Sequence, residues 1–170
     1  MNKTTVKFKK LDERAQMPHY GTEFAAGADL YACLDAPLTI AKGATEFVHT
    51  GIAMEIPTGL VGLVYARSGL ACKKGLAPAN KVGVVDSDYR GVSIKHGLCM
   101  ANGVGVVDSD YRGELKVPMV NLGGEAYTIQ PGERVAQLCI APVYTAAFAQ
   151  VEELGGTQRG EGGFGSTGTK

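Results

Sequence analysis

Val82-Gly-Val-Val-Asp-Ser-Asp-Tyr-Arg-Gly91 returns, residue for residue, as Val104–Gly113. The offset is 22 residues, and the match extends outward through Gly69/Gly91, Lys73/Lys95, Gly75/Gly97, Leu76/Leu98, Ala79/Ala101 and Asn80/Asn102. The chain therefore carries a tandem duplication, 70–91 followed by 92–113. Each copy reads as a short apolar strand running into a turn rich in aspartate. A carboxylate there can act as a general base, and the adjacent tyrosine offers a flat face to a sugar or base. The same four residues also suit a plain β-turn.

Similar runs continue on both sides. Residues 4–8, 37–40, 45–56, 60–66, 82–85, 104–107, 114–121, 125–129 and 134–144 are short, apolar or alternating, and sit among frequent glycines and prolines. No window of helical length has a clear 3.6-residue period, although Leu70–Lys74 suits one short helix after Gly69. Many short strands with regular turns predict an all-β sandwich or barrel.

The 170 residues suit one domain, and 45% apolar content supplies a sizeable core. Seventeen basic residues balance seventeen acidic ones, and no long single-sign block is present. Neither a nucleic-acid partner nor a membrane surface is expected. The polar, basic N-terminus lacks the apolar centre of a signal peptide, so a cytoplasmic setting is expected. Cys33, Cys72, Cys99 and Cys139 match no metal or disulfide spacing and are expected to be free thiols. His19, His49 and His96 share no spacing that suggests a metal site or triad.

The body is expected to span 1–154. Residues 155–170 hold seven glycines in 16 positions, with Phe164 as the one large apolar residue apart from the chain that precedes them. Composition alone suits disorder. However, Arg159, Ser166 and Thr167 are phosphate-binding types, and the glycines let backbone amides approach an anion. The expectation is a flexible arm that closes over a nucleotide.

Three further segments carry candidate chemistry. Asp29 lies in Ala26-Gly-Ala-Asp-Leu30, which alone reads as a turn. Arg67-Ser68-Gly69 offers a guanidinium, a hydroxyl and an amide to a phosphate at the end of a strand. Pro131-Gly-Glu-Arg-Val-Ala-Gln-Leu138 is a turn leading into a strand that bears Arg134 and Gln137.

Each of these is weak alone, but their order is specific. Ala-Gly-x-Asp-Leu, Ala-Arg-Ser-Gly, Gly-Val-Val-Asp-Ser-Asp-Tyr-Arg-Gly, Gly-Glu-Arg-Val-Ala-Gln-Leu and Arg-Gly-x-Gly-Gly-Phe-Gly-Ser-Thr-Gly follow one another across residues 5–168. The chain thereby resembles the homotrimeric dUTP diphosphatases (dUTPases), with the third-motif hairpin duplicated. The resemblance implies a distorted jelly-roll or β-clip barrel of short strands. It implies hydrolysis of dUTP to dUMP and pyrophosphate by attack of water on the α-phosphorus. That reaction limits uracil entry into DNA and supplies dUMP. It also implies Mg2+ as cofactor and a homotrimer with shared active sites.

The implied roles fall on particular residues. Arg67, Ser68, Gly69 and Gln137 would bind the phosphates, and Asp29 would support the metal through water. Asp108 would hold the attacking water, with Asp86 as the alternative. Asn102 would read the uracil edge and Tyr111 would pack under the deoxyribose, with Val106, Val107 and Lys116 completing the substrate contacts. Copy one offers Asn80, Val84, Val85 and Tyr89 instead. Arg159, Gly165, Ser166 and Thr167 would clasp the γ-phosphate, and Phe164 would cover the uracil.

The duplication leaves two registers open. Ser68 to Asp86 is 18 residues, the family-like spacing, whereas Ser68 to Asp108 is 40. Downstream, Asp108 to Arg134 is 26 and family-like, whereas Asp86 to Arg134 is 48. The unbroken sequel Gly113-Glu114-Leu115 favours copy two. A catalytically impaired nucleotide-binding or regulatory protein is the main alternative function. A relative of the dCTP deaminases, which share the fold, is the lesser one.

Overall fold

The computed structural model describes residues 3–79, 82–85, 104–105, 114–153 and 155–157. Thirteen strands and one helix follow in chain order: β1 Lys7–Lys10, β2 His19–Tyr20, β3 Ala28–Tyr31, β4 Leu38–Ile40, β5 Thr45–His49, β6 Ile52–Glu55 and β7 Leu60–Ala66. Then come α1 Ser68–Lys74, β8 Leu76–Pro78, β9 Val82–Val85, β10 Val104–Gly105, β11 Lys116–Asn121, β12 Tyr127–Ile129 and β13 Arg134–Pro142. The expected all-β class holds, and the one helix among the described residues lies where Leu70–Lys74 suggested it.

The largest sheet has the order β10-β9-β7-β13-β3-β2, and β5-β11-β8 forms a second of three strands. Two pairs, β1-β6 and β12-β4, complete the set. Among the described residues these sheets do not join into one closed barrel. A jelly roll buries its core by packing sheets face to face, and continuous hydrogen bonding around a ring is not required. The core lies between them. Leu30, Ile40, Val48, Ile52, Leu76, Val117, Met119, Ile129 and Val135 are all but completely buried.

Alternation explains the central strands. In β11 every second residue, Val117, Met119 and Asn121, is buried. Asn121 is the polar exception at 0% exposure. Its Nδ2 donates to the carbonyls of Ile40 (2.9 Å) and Glu125 (2.8 Å), and its Oδ1 accepts from the Gly123 amide at 2.9 Å. The side chain thus satisfies backbone groups that the β11–β12 turn would otherwise strand inside the protein.

Three strands depart from the sequence expectation. β3 is not a turn but a buried strand, with Ala28, Asp29 and Leu30 all in the interior. β2 and β8 are too short to show a period. Beyond Pro142 the described residues have no regular structure, and Tyr144 and Phe148 are 94% and 97% exposed.

The duplication has a definite place in the large sheet. β9, from copy one, pairs antiparallel with β7, matching Val82 with Tyr65 and Val85 with Gly62. β10, from copy two, lies outside β9 and runs parallel to it. Val104 pairs with Val82 and Gly105 with Gly83, so each residue faces its own duplicate.

Candidate active site

Asp29 organises the described part of the site. Its side chain is 6% exposed and takes three side-chain donors. Arg67 Nε reaches Oδ1 at 3.0 Å, Gln137 Nε2 reaches the same oxygen at 3.3 Å, and Arg134 Nη1 reaches Oδ2 at 3.2 Å. Arg67 also donates from Nη1 to the Arg134 carbonyl at 3.3 Å. A carboxylate can sit inside a β-sheet only when such partners replace its water.

The sheet brings these groups together by register. Gln137 on β13 lies directly opposite Asp29 on β3 and opposite Tyr65 on β7. Gly27 leaves room for it, since a Cβ there would come within 3.1 Å of the Gln137 Cβ. Arg67 follows β7 and precedes α1 in extended backbone. Its carbonyl accepts the Ala71 amide at 2.9 Å, so the helix starts beside the Asp29 cluster. The amides of Ser68, Gly69 and Leu70 have no partner within the helix, because the first turn of any helix lacks acceptors for its N–H groups.

Arg134 was not among the predicted site residues. It lies three positions before Gln137, and strict alternation would put the two on opposite faces. A bulge between Arg134 and Ala136 adds the extra residue that lets both reach Asp29. The Pro131-Gly-Glu-Arg run signals a turn into a strand but not a bulge.

Among the described residues, Lys116, Val84 and Val85 are predicted site residues that are not gathered here. Lys116 begins β11 in the three-stranded sheet, opposite His49. Val84 and Val85 belong to β9, at the end of β7 remote from Arg67. Asn80, Asp86, Tyr89, Asn102, Val106, Val107, Asp108, Tyr111, Arg159, Phe164, Gly165, Ser166 and Thr167 lie outside the described residues.

A separate cleft of about 290 Å³ is lined by Asp12, Arg14, Cys33, Asp35, His49 and Glu114, among others. Its charges satisfy one another. Arg14 bonds Asp12 at 2.6 and 2.9 Å and Asp35 at 2.5 Å, and it holds the Asp12 carboxyl down at about 2. Glu114 accepts from the Gly51 amide at 2.7 Å and bonds His49 Nδ1 at 2.7 Å. With Thr50 Oγ1 donating to the Leu115 carbonyl, this pins the start of β11 to the β5–β6 turn. Cys33, Cys72 and Cys139 are free thiols.

Among the described residues no group of three or more His, Cys, Asp or Glu is placed to hold a metal ion. No helix among them is long and apolar enough to cross a membrane.

The dUTPase family model matches the chain twice, over residues 13–96 and 93–168. The deoxyuridine 5'-triphosphate nucleotidohydrolase of Syntrophotalea carbinolica is 42% identical over 168 residues, covering 99% of both chains. That of Idiomarina loihiensis is 45% identical over 170 residues, covering 97% of this chain and 98% of its own. Among solved structures, a mutant dUTPase of Staphylococcus bacteriophage 80alpha with dUpNHpp superposes at a TM-score of 0.76. It is 26% identical and covers 98% of this chain and 100% of its own. The phage phi11 dUTPase, 24% identical with a TM-score of 0.68, shares the fold and is described with a structural Mg(II) ion. Matched almost end to end by curated relatives, and by the family model in two stretches that each run through one copy of the duplicated segment, this chain belongs to the dUTPase family.

Proposed function

We propose that the chain hydrolyses dUTP to dUMP and pyrophosphate by attack of water on the α-phosphorus. The observation that carries this is the Asp29 cluster, which holds Arg67 and Gln137 side by side at the start of α1 in a member of this family. Two guanidiniums, a carboxamide and free amides there suit a triphosphate. Their positions are set before substrate arrives, so little ordering is needed when charge develops at phosphorus.

In this reading Arg67, Gln137, Ser68 and Gly69 hold the phosphate chain. Asp108 or Asp86 accepts a proton from the attacking water. The pyrophosphate leaves with the electrons of the broken α–β bridge. Lys116, Asn102 with Val106, Val107 and Tyr111, or Asn80 with Val84, Val85 and Tyr89, recognise the nucleoside. Arg159, Gly165, Ser166 and Thr167 grip the γ-phosphate as an arm formed by 155–170, and Phe164 covers the uracil.

The donor set near Asp29 does not fit a protein cage for Mg2+, since both carboxylate oxygens already take nitrogen donors. It fits a hard cation carried on phosphate oxygens and water. Such an ion neutralises phosphate charge, while Asp29 acts by fixing Arg67 and Gln137.

A homotrimer completes the site. β9 ends opposite Gly62, and Arg67, just beyond β7, lies roughly 16 Å further along at ~3.3 Å per residue. The end of β9 at that side and the phosphate cluster at the other suit sites built between copies. The exposed Val143, Tyr144, Phe148 and Val151 likewise suit burial against another subunit. Pyrophosphate release with dUTP, dCTP and dTTP tests the activity. Selective turnover of dUTP is expected. Ammonia release from dCTP, or tight dUTP binding without turnover, would count against it.

A further inference from the structure

We propose that Glu114 and His49 are positioning residues for Lys116: they fix the head of β11 and leave the Lys116 ammonium free for the nucleotide. This role rests on the reading of Lys116 as a nucleoside contact and adds what holds the lysine in place.

Glu114 lies just before β11, and its side chain is only 17% exposed. Both of its carboxylate oxygens are engaged. Oε1 accepts the Gly51 amide at 2.7 Å, and Oε2 lies 2.7 Å from His49 Nδ1, which donates to it as an N–H. Gly51 presents that amide from a turn at φ +67°, where a Cβ would meet Ala15 Cβ and Cys33 Sγ at 2.8 Å, so the turn requires glycine. The next residue is held as well. Leu115 donates its amide to the Ile52 carbonyl at 2.8 Å, and its own carbonyl accepts the hydroxyl of the buried Thr50.

Lys116 comes next. It pairs with His49 across β11 and β5, and side chains directly opposed in this way have Cβ atoms about 4.5–5.5 Å apart. One imidazole therefore bonds Glu114 and neighbours Lys116. A lysine two residues from a carboxylate in extended chain shares its face and can pair with it. Here both carboxylate oxygens already have donors, and among the described residues Lys116 forms no ion pair. The other cation of the adjoining cleft, Arg14, is taken up by Asp12 and Asp35. The half-buried lysine thus keeps its three N–H donors for a ligand, on a backbone that needs little ordering when the ligand arrives.

Titration calorimetry on the full chain with two probes, dUMP and magnesium pyrophosphate, tests the assignment. The first reports on the nucleoside end and the second on the Asp29 cluster. Glu114→Ala should weaken dUMP binding by about tenfold, the worth of one well-placed hydrogen bond. Pyrophosphate binding should stay within about twofold, as for a distant, independent site. Glu114→Gln, which keeps an acceptor for the Gly51 amide, should recover most of the loss. In a Lys116→Met background Glu114→Ala should cost no further dUMP affinity, because the two residues act through one contact. His49→Ala removes one bond at a half-exposed position, so it serves if Glu114→Ala does not fold. It too should weaken dUMP binding in the parent and not in the Lys116→Met chain. A lowered melting temperature with unchanged dUMP affinity would leave the pair a structural role only and overturn the proposal. So would a loss of affinity of the same size with and without Lys116. Undiminished dUMP binding by Lys116→Met alone would overturn both this proposal and the nucleoside role of Lys116. A parent that shows the expected pattern with dUMP but turns over no dUTP would refute the hydrolysis and still support the positioning role.

Discussion

Asp29 is the residue whose role depends most on contacts distant in sequence. Replacing it with alanine leaves the Arg67 and Arg134 guanidiniums close together without their shared carboxylate. Arg67 is 25% exposed and Arg134 52%, so water recovers part of the loss. The expected destabilisation is therefore below the roughly 3–5 kcal/mol of breaking a fully buried pair. The effect on turnover should be larger, with kcat/KM for dUTP falling by about 10²–10³, as when a preorganised donor is lost. Arg134→Ala should cost at most about 1 kcal/mol of stability, because a half-exposed ion pair contributes little. Urea melts and steady-state kinetics on the two variants check both halves. Equal effects of the two substitutions would contradict the hub role of Asp29. This role was only half legible in the sequence. Ala-Gly-x-Asp-Leu marked the residue, but a lone aspartate beside glycine looks like a turn. Its true place, in a buried strand, depends on Arg67 and Gln137 arriving from distant parts of the chain.

At the scale of elements, β7, β9, β11, β12 and β13 were readable because they alternate or run apolar between glycines. β3 was not, since three buried residues in four positions carry no period, and the bulge in β13 has no local signature. A second device in this region is the clasp between β12 and the turn before β13. Tyr127 donates its hydroxyl to Glu133 Oε1 at 2.6 Å, and Glu133 Oε2 accepts the Gln130 amide at 2.9 Å. Burial, and then the bond to Glu133, raise the Tyr127 phenol from 10.0 to about 12. The fold therefore favours the neutral phenol over its ionised form. That stabilisation is complete below about pH 10, where the unfolded phenol is also protonated. It is lost as pH rises through about 12, because folding then has to overcome an ionised tyrosine beside a carboxylate. Tyr127→Phe removes both the bond and the titration. The parent should be more stable than the variant at pH 8 by about 1.5–3 kcal/mol, the value of a bond to a charged acceptor. The advantage should shrink between pH 10 and 12. A difference independent of pH across that window would rule out the clasp as the titrating element.

For the whole molecule, the duplication was fully visible in the sequence, but its consequence was not. The sequence favoured copy two through its unbroken sequel at Gly113-Glu114-Leu115, whereas the sheet gives copy one the inner place beside β7. Val82–Gly91 and Val104–Gly113 are identical and encode no preference between them, so the choice rests on the differing residues earlier in each copy and on the flanks, which pull in opposite directions. Arg67-Ser68-Gly69 adjoins copy one, while Glu114 ties the sequel of copy two to Gly51 and His49. In the trimer we propose, light scattering should give three times the 17.8 kDa of one chain. A monomer in solution would count against sites built between copies. Within the assembly, the catalytic carboxylate can then be assigned by substitution. If either register can furnish it, Asp86→Asn and Asp108→Asn should each leave kcat within about tenfold of the parent, while the double variant falls by the roughly 10²–10⁴ of a lost general base. A single substitution as damaging as the double would mean that one copy alone supplies the base. Asp108 would then support the register read from the sequel, and Asp86 the register in which β9 sits. Because both substitutions replace a carboxylate with an isosteric amide, the folded mass and melting temperature should be unchanged in all three variants, so that any loss of turnover reports on chemistry and not on assembly.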